Sequence, residues 1–145
     1  MKKVMIEKKD VDRMIAYAKE QLPYEACGLI AGTENGEERI IEKVYFLTNV
    51  DASSEHFSMD PREQLQAVKD MRTRGLQPLG NWHSHPETPS RPSEEDKRLA
   101  YDSKSSYLIL SLMDQEPVLN SFHVESGEAS RENLEIHPGE RNAGN

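Results

Sequence analysis

The sequence predicts an α/β (α+β) domain built on a mixed central sheet flanked by helices. Two segments place apolar residues at helical spacing, and several short runs rich in β-branched and aromatic residues lie between turn signals. An Asn35-Gly36 pair between two of those runs marks a hairpin.

From Asp10 to Leu22, the residues Val11, Met14, Ile15, Ala18 and Leu22 fall on one helical stripe, and Pro23 ends it. Ala26 to Ala31 and Arg39 to Leu47 read as antiparallel strands around the hairpin turn. A second helix starts at Asp60-Pro61-Arg62-Glu63, with Asp60 as N-cap, Pro61 at the first helical position and Glu63 placed for a capping box. Its apolar face is assigned to Leu65, Val68 and Met71, with Gly75 as the stop. Leu79 to His85 reads as a strand. The stretch Pro86 to Pro92 contains three prolines and is a stiffened loop. After it come a short helix from Ser93 to about Tyr101 and three closing strands, Tyr107 to Leu112, Val118 to Val124 and Arg131 to Ile136. Residues 1–137 are assigned to one domain and 138–145 to a disordered tail.

With 145 residues, the chain can bury one hydrophobic core. Acidic residues outnumber basic ones 26 to 18, for a net charge of −8, and lysine and arginine are scattered, which argues against nucleic acid as a partner. No apolar run approaches the roughly 20 residues that span a bilayer, and the first ten residues lack the apolar core of a signal peptide, so no membrane role and a cytoplasmic location are expected. Cys27 is the single cysteine. It excludes an internal disulfide, a zinc site of paired cysteines, and the His-x-Glu with Pro-Cys-x-x-Cys signature of the zinc deaminases. Cys27 lies in an apolar run and reads as a small buried hydrophobe, and Trp82 reads as core.

Chemistry concentrates in Asn81-Trp82-His83-Ser84-His85. At the end of a strand, the period of two sends His83 and His85 to one face, where two neutral imidazoles suit zinc. Asp96, in the first turn of the next helix, is the best third ligand, since the proline loop turns the chain back toward the strand end. Ser93 borders the same spot, and its hydroxyl could donate to charge developing on a substrate oxygen. Spacing alone leaves another reading open, in which Ser93 and Asp96 simply cap a helix. Glu25 leads the run Ala26 to Ala31 and, by pattern alone, reads as a solvated strand end. His56, His123 and His137 have no partner at ligand spacing and are assigned structural or surface roles.

Taken together, Glu25-Ala26-Cys27-Gly28-Leu29, His83-Ser84-His85-Pro86, Ser93 and Asp96 resemble the JAMM (MPN+) metalloprotease motif: an upstream Glu, then His-x-His, seven residues, Ser, two residues and Asp. The resemblance covers nearly the whole chain. It implies an MPN/JAB1-like fold (cytidine-deaminase-like), with zinc held by His83, His85 and Asp96, Glu25 as general base and acid, and Ser93 steadying the oxyanion. The chain lacks long insertions, so it is most similar to the small stand-alone prokaryotic members. Those resemble peptidases that remove cysteine or a short extension from the Gly-Gly tail of a ubiquitin-like sulfur carrier protein. The alternatives within the resemblance are a silent protein-binding scaffold and a peptidase acting on another isopeptide or cell-wall peptide.

Overall fold

In the computed structural model, which describes residues 2–139, eight strands form one sheet in the order β7-β6-β5-β4-β2-β3-β1-β8. The strands are β1 (Lys3–Glu7), β2 (Cys27–Asn35), β3 (Glu38–Leu47), β4 (Gln77–His85), β5 (Ser106–Ser111), β6 (Val118–Glu125), β7 (Glu128–Arg131) and β8 (Asn133–His137). The helices are α1 (Lys8–Gln21), α2 (Pro61–Arg74) and α3 (Glu94–Arg98). Strand β1 runs parallel to β3 and β8, β4 runs parallel to β5, and the other pairs are antiparallel. The sheet is therefore mixed and the fold α+β, as the sequence predicts. No helix among the described residues is long and apolar enough to cross a membrane. Pro138 and Gly139 follow β8, and the rest of the predicted tail, 140–145, lies outside the described residues.

Apolar side chains fill both faces of the sheet. Val4, Ile6, Ile30, Val44, Trp82, Leu108 and Leu110 pack with Val11, Met14 and Ala18 of α1. On the other face, Cys27, Ala31, Tyr45 and Leu47 pack with Ala67 and Met71 of α2. Alternation along β4 therefore puts Trp82 on the α1 side and its neighbours His83 and His85 on the α2 side.

Several elements differ from expectation. Strand β1, absent from the sequence reading, runs directly into α1 at Lys8 without a turn signal, although Val4 and Ile6 alternate inward. Helix α2 begins and ends at the predicted Asp60 and Gly75, but its inward residues are Ala67 and Met71, while Leu65 and Val68 face outward at 56% and 37% exposure. The capping box is also left open. The Asp60 carboxylate accepts from the Arg62 and Glu63 amides at 2.8 and 3.3 Å, whereas Glu63 turns away to accept from the Thr48 amide and hydroxyl at 2.6 and 2.9 Å. That pairing ties the start of α2 to the end of β3.

The predicted strand Arg131 to Ile136 is broken at Glu132, which separates β7 and β8, the two edges of the sheet. Glu132 is buried, and one of its carboxylate oxygens accepts from the hydroxyls of Ser106 and Ser121, each at 2.7 Å. Buried Arg39 donates to Ser106 Oγ at 2.6 Å and pairs with Glu34 at 3.1 Å. A buried carboxylate satisfied this way anchors the break between β7 and β8 to β5 and β6.

Gly28 in the Glu25–Leu29 segment is required by close approach. A Cβ there would lie 1.8 Å from the Tyr45 carbonyl oxygen and 2.4 Å from Trp82 Nε1, which donates to that same carbonyl at 3.1 Å. Gly28→Ala is expected to destabilise the fold by about 3 kcal/mol through overpacking and loss of that buried bond. Urea titration would measure it, and an unchanged midpoint would show that β2 yields freely.

Candidate metal centre

The carboxyl ends of the parallel strands β4 and β5 point at one end of the sheet, and β4 delivers His83 and His85 there. The two Nε2 atoms are 3.1 Å apart. Asp96, in the first turn of α3, brings Oδ2 to 3.2 Å from His83 Nε2 and 3.0 Å from His85 Nε2. Ligand atoms about 2.0–2.1 Å from a tetrahedral ion lie about 3.3 Å from one another, close to this triangle.

Second contacts orient the rings. His85 Nδ1 donates to the Pro89 carbonyl at 2.9 Å, so the neutral ring presents a bare Nε2 toward the triangle. The His83 ring stacks on Phe57 with centroids 4.7 Å apart. With both Nε2 atoms bare, two lone pairs and an anionic oxygen at this spacing would repel one another and a cation among them would convert the repulsion into ligation; with a ring proton there instead, the imidazole donates to Asp96. The donor set thus fits a metal ion. Burial pushes the His83 imidazole below its ordinary pKa, against the pull of Asp96. Burial acts to raise the Asp96 carboxyl, but the neighbouring imidazoles and the Ser93 amide prevail and hold it well below the usual carboxylate range.

The loop between strand and helix is pinned rather than loose. Ser111 Oγ donates to the Thr88 carbonyl at 2.6 Å, Ser90 Oγ to the Ile109 carbonyl at 2.7 Å, and Asn120 Nδ2 to Ser90 Oγ at 3.1 Å. These bonds fix the Pro89 carbonyl that orients His85. At the start of α3 the capping geometry is complete: Ser93 Oγ accepts from the Asp96 amide, and Asp96 Oδ2 accepts from the Ser93 amide, both at 2.9 Å. One carboxylate oxygen caps the helix and also faces the imidazoles, so the capping of Ser93 and Asp96 does not compete with a role at the triangle. The Ser93 hydroxyl still has its own proton to donate.

Glu25 is not a solvated strand end. It is 3% exposed, and its Oε1 is buried without a hydrogen-bond partner. Its backbone is clamped on both sides: the amide donates to the Ser53 carbonyl at 2.8 Å, and its carbonyl accepts from Asn49 Nδ2 at 3.0 Å. Ser84, between the two histidines, accepts from the Ala26 amide at 2.7 Å and so ties Glu25 to β4. Burial, with Asp96, Glu95 and Glu55 nearby, pushes the Glu25 carboxyl up to about 9. Asn49 and Ser84 were not singled out from the sequence, where each is one more polar residue at a strand end.

Beside the triangle lies a cavity of about 410 Å³ whose walls include His56, Phe57, Met59, His83, Glu95 and Asp96. A larger hollow, about 910 Å³, sits at the other end of β4 against Arg39 and Glu132, whose charges are already paired or hydrogen-bonded. A group of histidine and carboxylate ligand atoms able to hold a metal occurs, among the described residues, at His83, His85 and Asp96.

The family profile described as prokaryotic homologs of the JAB domain matches residues 7–125. This chain belongs to that family. The chain is 30% identical over 127 residues to the CysO-cysteine peptidase of Mycobacterium tuberculosis, covering 87% of this chain and 86% of the relative. It is 37% identical over 82 residues to a probable TtuB-protein conjugate cleaving protease of Thermus thermophilus, covering 56% and 52% of the two chains. A solution structure of a protein from Desulfitobacterium hafniense superposes with a TM-score of 0.87 at 50% identity over 97% of both chains. The remaining histidines of this JAB chain lie apart from the triangle or pair elsewhere. His123 and His137 pair with Glu125 and Glu135 at 3.3 and 3.6 Å, and His56 pairs with Asp51 at 3.0 Å although it reaches the cavity wall. Cys27 is fully buried, and burial raises its thiol to about 12, which leaves it without nucleophilic character.

Proposed function

We propose that this hydrolase of the JAB family is a zinc peptidase cleaving a peptide or isopeptide bond at the C-terminal tail of a small ubiquitin-like sulfur carrier protein. In this reading His83, His85 and Asp96 hold the ion, Glu25 moves the proton and Ser93 supports the oxyanion. The observation that carries it is the convergence of two imidazole Nε2 atoms and one carboxylate oxygen within 3.2 Å of one another, beside a buried glutamate. Two imidazoles and a carboxylate, without thiolates, are a donor set suited to catalytic zinc.

Zinc held there would supply Lewis acidity, acidifying water and polarising a carbonyl. Glu25 takes the proton from the attacking water and returns it to the departing amine. Burial raises its carboxyl, and positive charge held in the triangle would offset that and poise it for this role. The Ser93 hydroxyl, anchored by the Asp96 amide, donates to the oxygen that gains negative charge. The names of the relatives from M. tuberculosis and T. thermophilus support a carrier adduct as substrate. An extended, glycine-ended tail is narrow enough to bring its terminal carbonyl to the triangle through the cavity beside it. Catalysis is assigned to residues 1–137 and to the cytoplasm.

Purified, zinc-loaded protein is expected to shorten a carrier extended at its C-terminus, or to release one joined to a lysine, with the mass change read on intact chains. Loss of cleavage with a chelator and its return with zinc would support the proposal. Carriers left intact under all conditions would contradict it and favour a binding scaffold.

A further inference from the structure

The floor of the cavity beside the triangle is a patch of one sheet face. Register sets Asn81 beside Tyr107 and His83 beside Ile109 across β4 and β5, and all four line the cavity. Strand alternation sends Asn81 to the same face as His83. The other neutral polar side chains of the lining are engaged or turned to solvent. Ser58 Oγ donates to Asp51 at 2.8 Å, Gln64 Nε2 to the Met59 carbonyl at 3.3 Å, and the Tyr107 hydroxyl to the Asp102 carbonyl at 2.9 Å, while Tyr101 is 84% exposed. The Asn81 carboxamide is different, because it is partly buried and no hydrogen bond from the described residues reaches it.

A carboxamide presents N–H donors and an acceptor oxygen side by side. It is therefore complementary to the N–H and C=O of one residue in an extended peptide, the pair that two antiparallel strands exchange. A single polar group of this kind in a partly apolar cavity fixes the orientation of what binds there. Asn81 stands two residues before His83, which is about 7 Å along a strand. An extended tail with its terminal carbonyl at the triangle covers that distance to reach its next-to-last residue. The carrier side of the scissile bond supplies an N–H and C=O pair there in every adduct, whereas a departing cysteine ends in a carboxylate and a lysine joined through its side chain presents methylenes first. The carboxamide is neutral, so this complementarity does not depend on the charge held at the triangle.

Building on the peptidase reading above, we propose that Asn81 is a specificity-determining residue that binds the main chain of the carrier tail. Its Oδ1 accepts from the N–H, and its Nδ2 donates to the C=O, of the residue before the terminal glycine. A glycine at that position has no Cβ to hold the backbone off the floor. The tail is thereby anchored with its terminal carbonyl at the triangle. Both bonds are made equally in the bound substrate and in the transition state, so their loss is read in KM rather than in kcat.

The test uses the zinc-loaded full chain and a sulfur carrier ending in Gly-Gly, extended by cysteine or joined to a lysine, whichever is cleaved faster. A second carrier is identical except that glycolic acid replaces the first of the two glycines, so that an ester oxygen stands where the N–H was. Wild type is expected to lose about tenfold in kcat/KM on the ester carrier, through KM. Asn81→Leu, close in size, is expected to lose about 30-fold on the all-amide carrier with kcat within about twofold and zinc retained, and to cut both carriers at equal rates. Asn81→Asp keeps the acceptor oxygen and should remain sensitive to the ester. Wild type that cuts both carriers equally, or Asn81→Leu that still loses about tenfold on the ester, would overturn the proposal. Loss of zinc from Asn81→Leu would overturn it too, by making the residue a support of the metal centre, whereas failure of wild type on every carrier would remove the peptidase reading itself.

Discussion

Glu25→Gln is expected to lower kcat about 10³-fold while the protein still binds one metal ion per chain, as general acid–base catalysis of this kind contributes about 10² to 10⁴. The same substitution should alter the pH dependence of stability in metal-free protein. The folded protein holds a proton on Glu25 up to about 9, whereas the unfolded chain releases it near the ordinary 4.5. Between those values the native state binds the extra proton, so stability falls as pH rises. The contribution is fully present below about pH 4.5 and is lost as pH climbs through 9. By pH 7 the loss amounts to up to about 3 kcal/mol at about 1.4 kcal/mol per pH unit. The variant, neutral at every pH, should lack this slope in urea titrations. Metal-free wild type and variant with parallel stability profiles would place Glu25 in a more solvated setting, and retained turnover would remove it from catalysis.

The second large effect concerns the triangle. His85→Ala and Asp96→Asn are each expected to abolish metal retention and reduce turnover at least about 10³-fold. Asparagine at 96 is the informative choice, because its side-chain oxygen can still accept from the Ser93 amide while the anionic ligand is gone. Zinc at about 1,000 times its dissociation constant stabilises a folded protein by about 4 kcal/mol. In a chain of this size, that is a rise of roughly 10 °C in Tm. Wild type should show this rise and both variants should not. Asp96→Asn that keeps the zinc-dependent rise would reduce Asp96 to a helix cap.

The sequence placed His83 and His85 on one face because strand periodicity is local, and Asp60 and Gly75 bounded α2 because capping is local too. What local pattern could not carry is decided by packing. In α2, Ala67 and Met71 face the sheet while Leu65 and Val68 stay outside, and the small Ala67 lets the helix approach β2 and β3. Strand β1 escaped because its alternation runs without a break into a helix. Glu132 splits the last strand because a buried arginine and two serines, distant in sequence, pull on its carboxylate network. At the site, pattern alone made Glu25 a solvated strand end, and only the family motif singled it out. Its burial depends on Asn49 and Ser53 from the loop after β3 and on Ser84 from β4. The turn that brings Asp96 back to β4 is held by Ser90, Ser111 and Asn120, polar residues with no distinctive spacing.

The centre itself is tested most directly by anomalous diffraction at the zinc edge from crystals grown with one equivalent of zinc. The expected result is a single strong peak about 2.1 Å from His83 Nε2, His85 Nε2 and Asp96 Oδ2. A peak bound elsewhere, or a fully ordered triangle with no peak in its centre, would contradict the assignment of these three residues as the metal ligands.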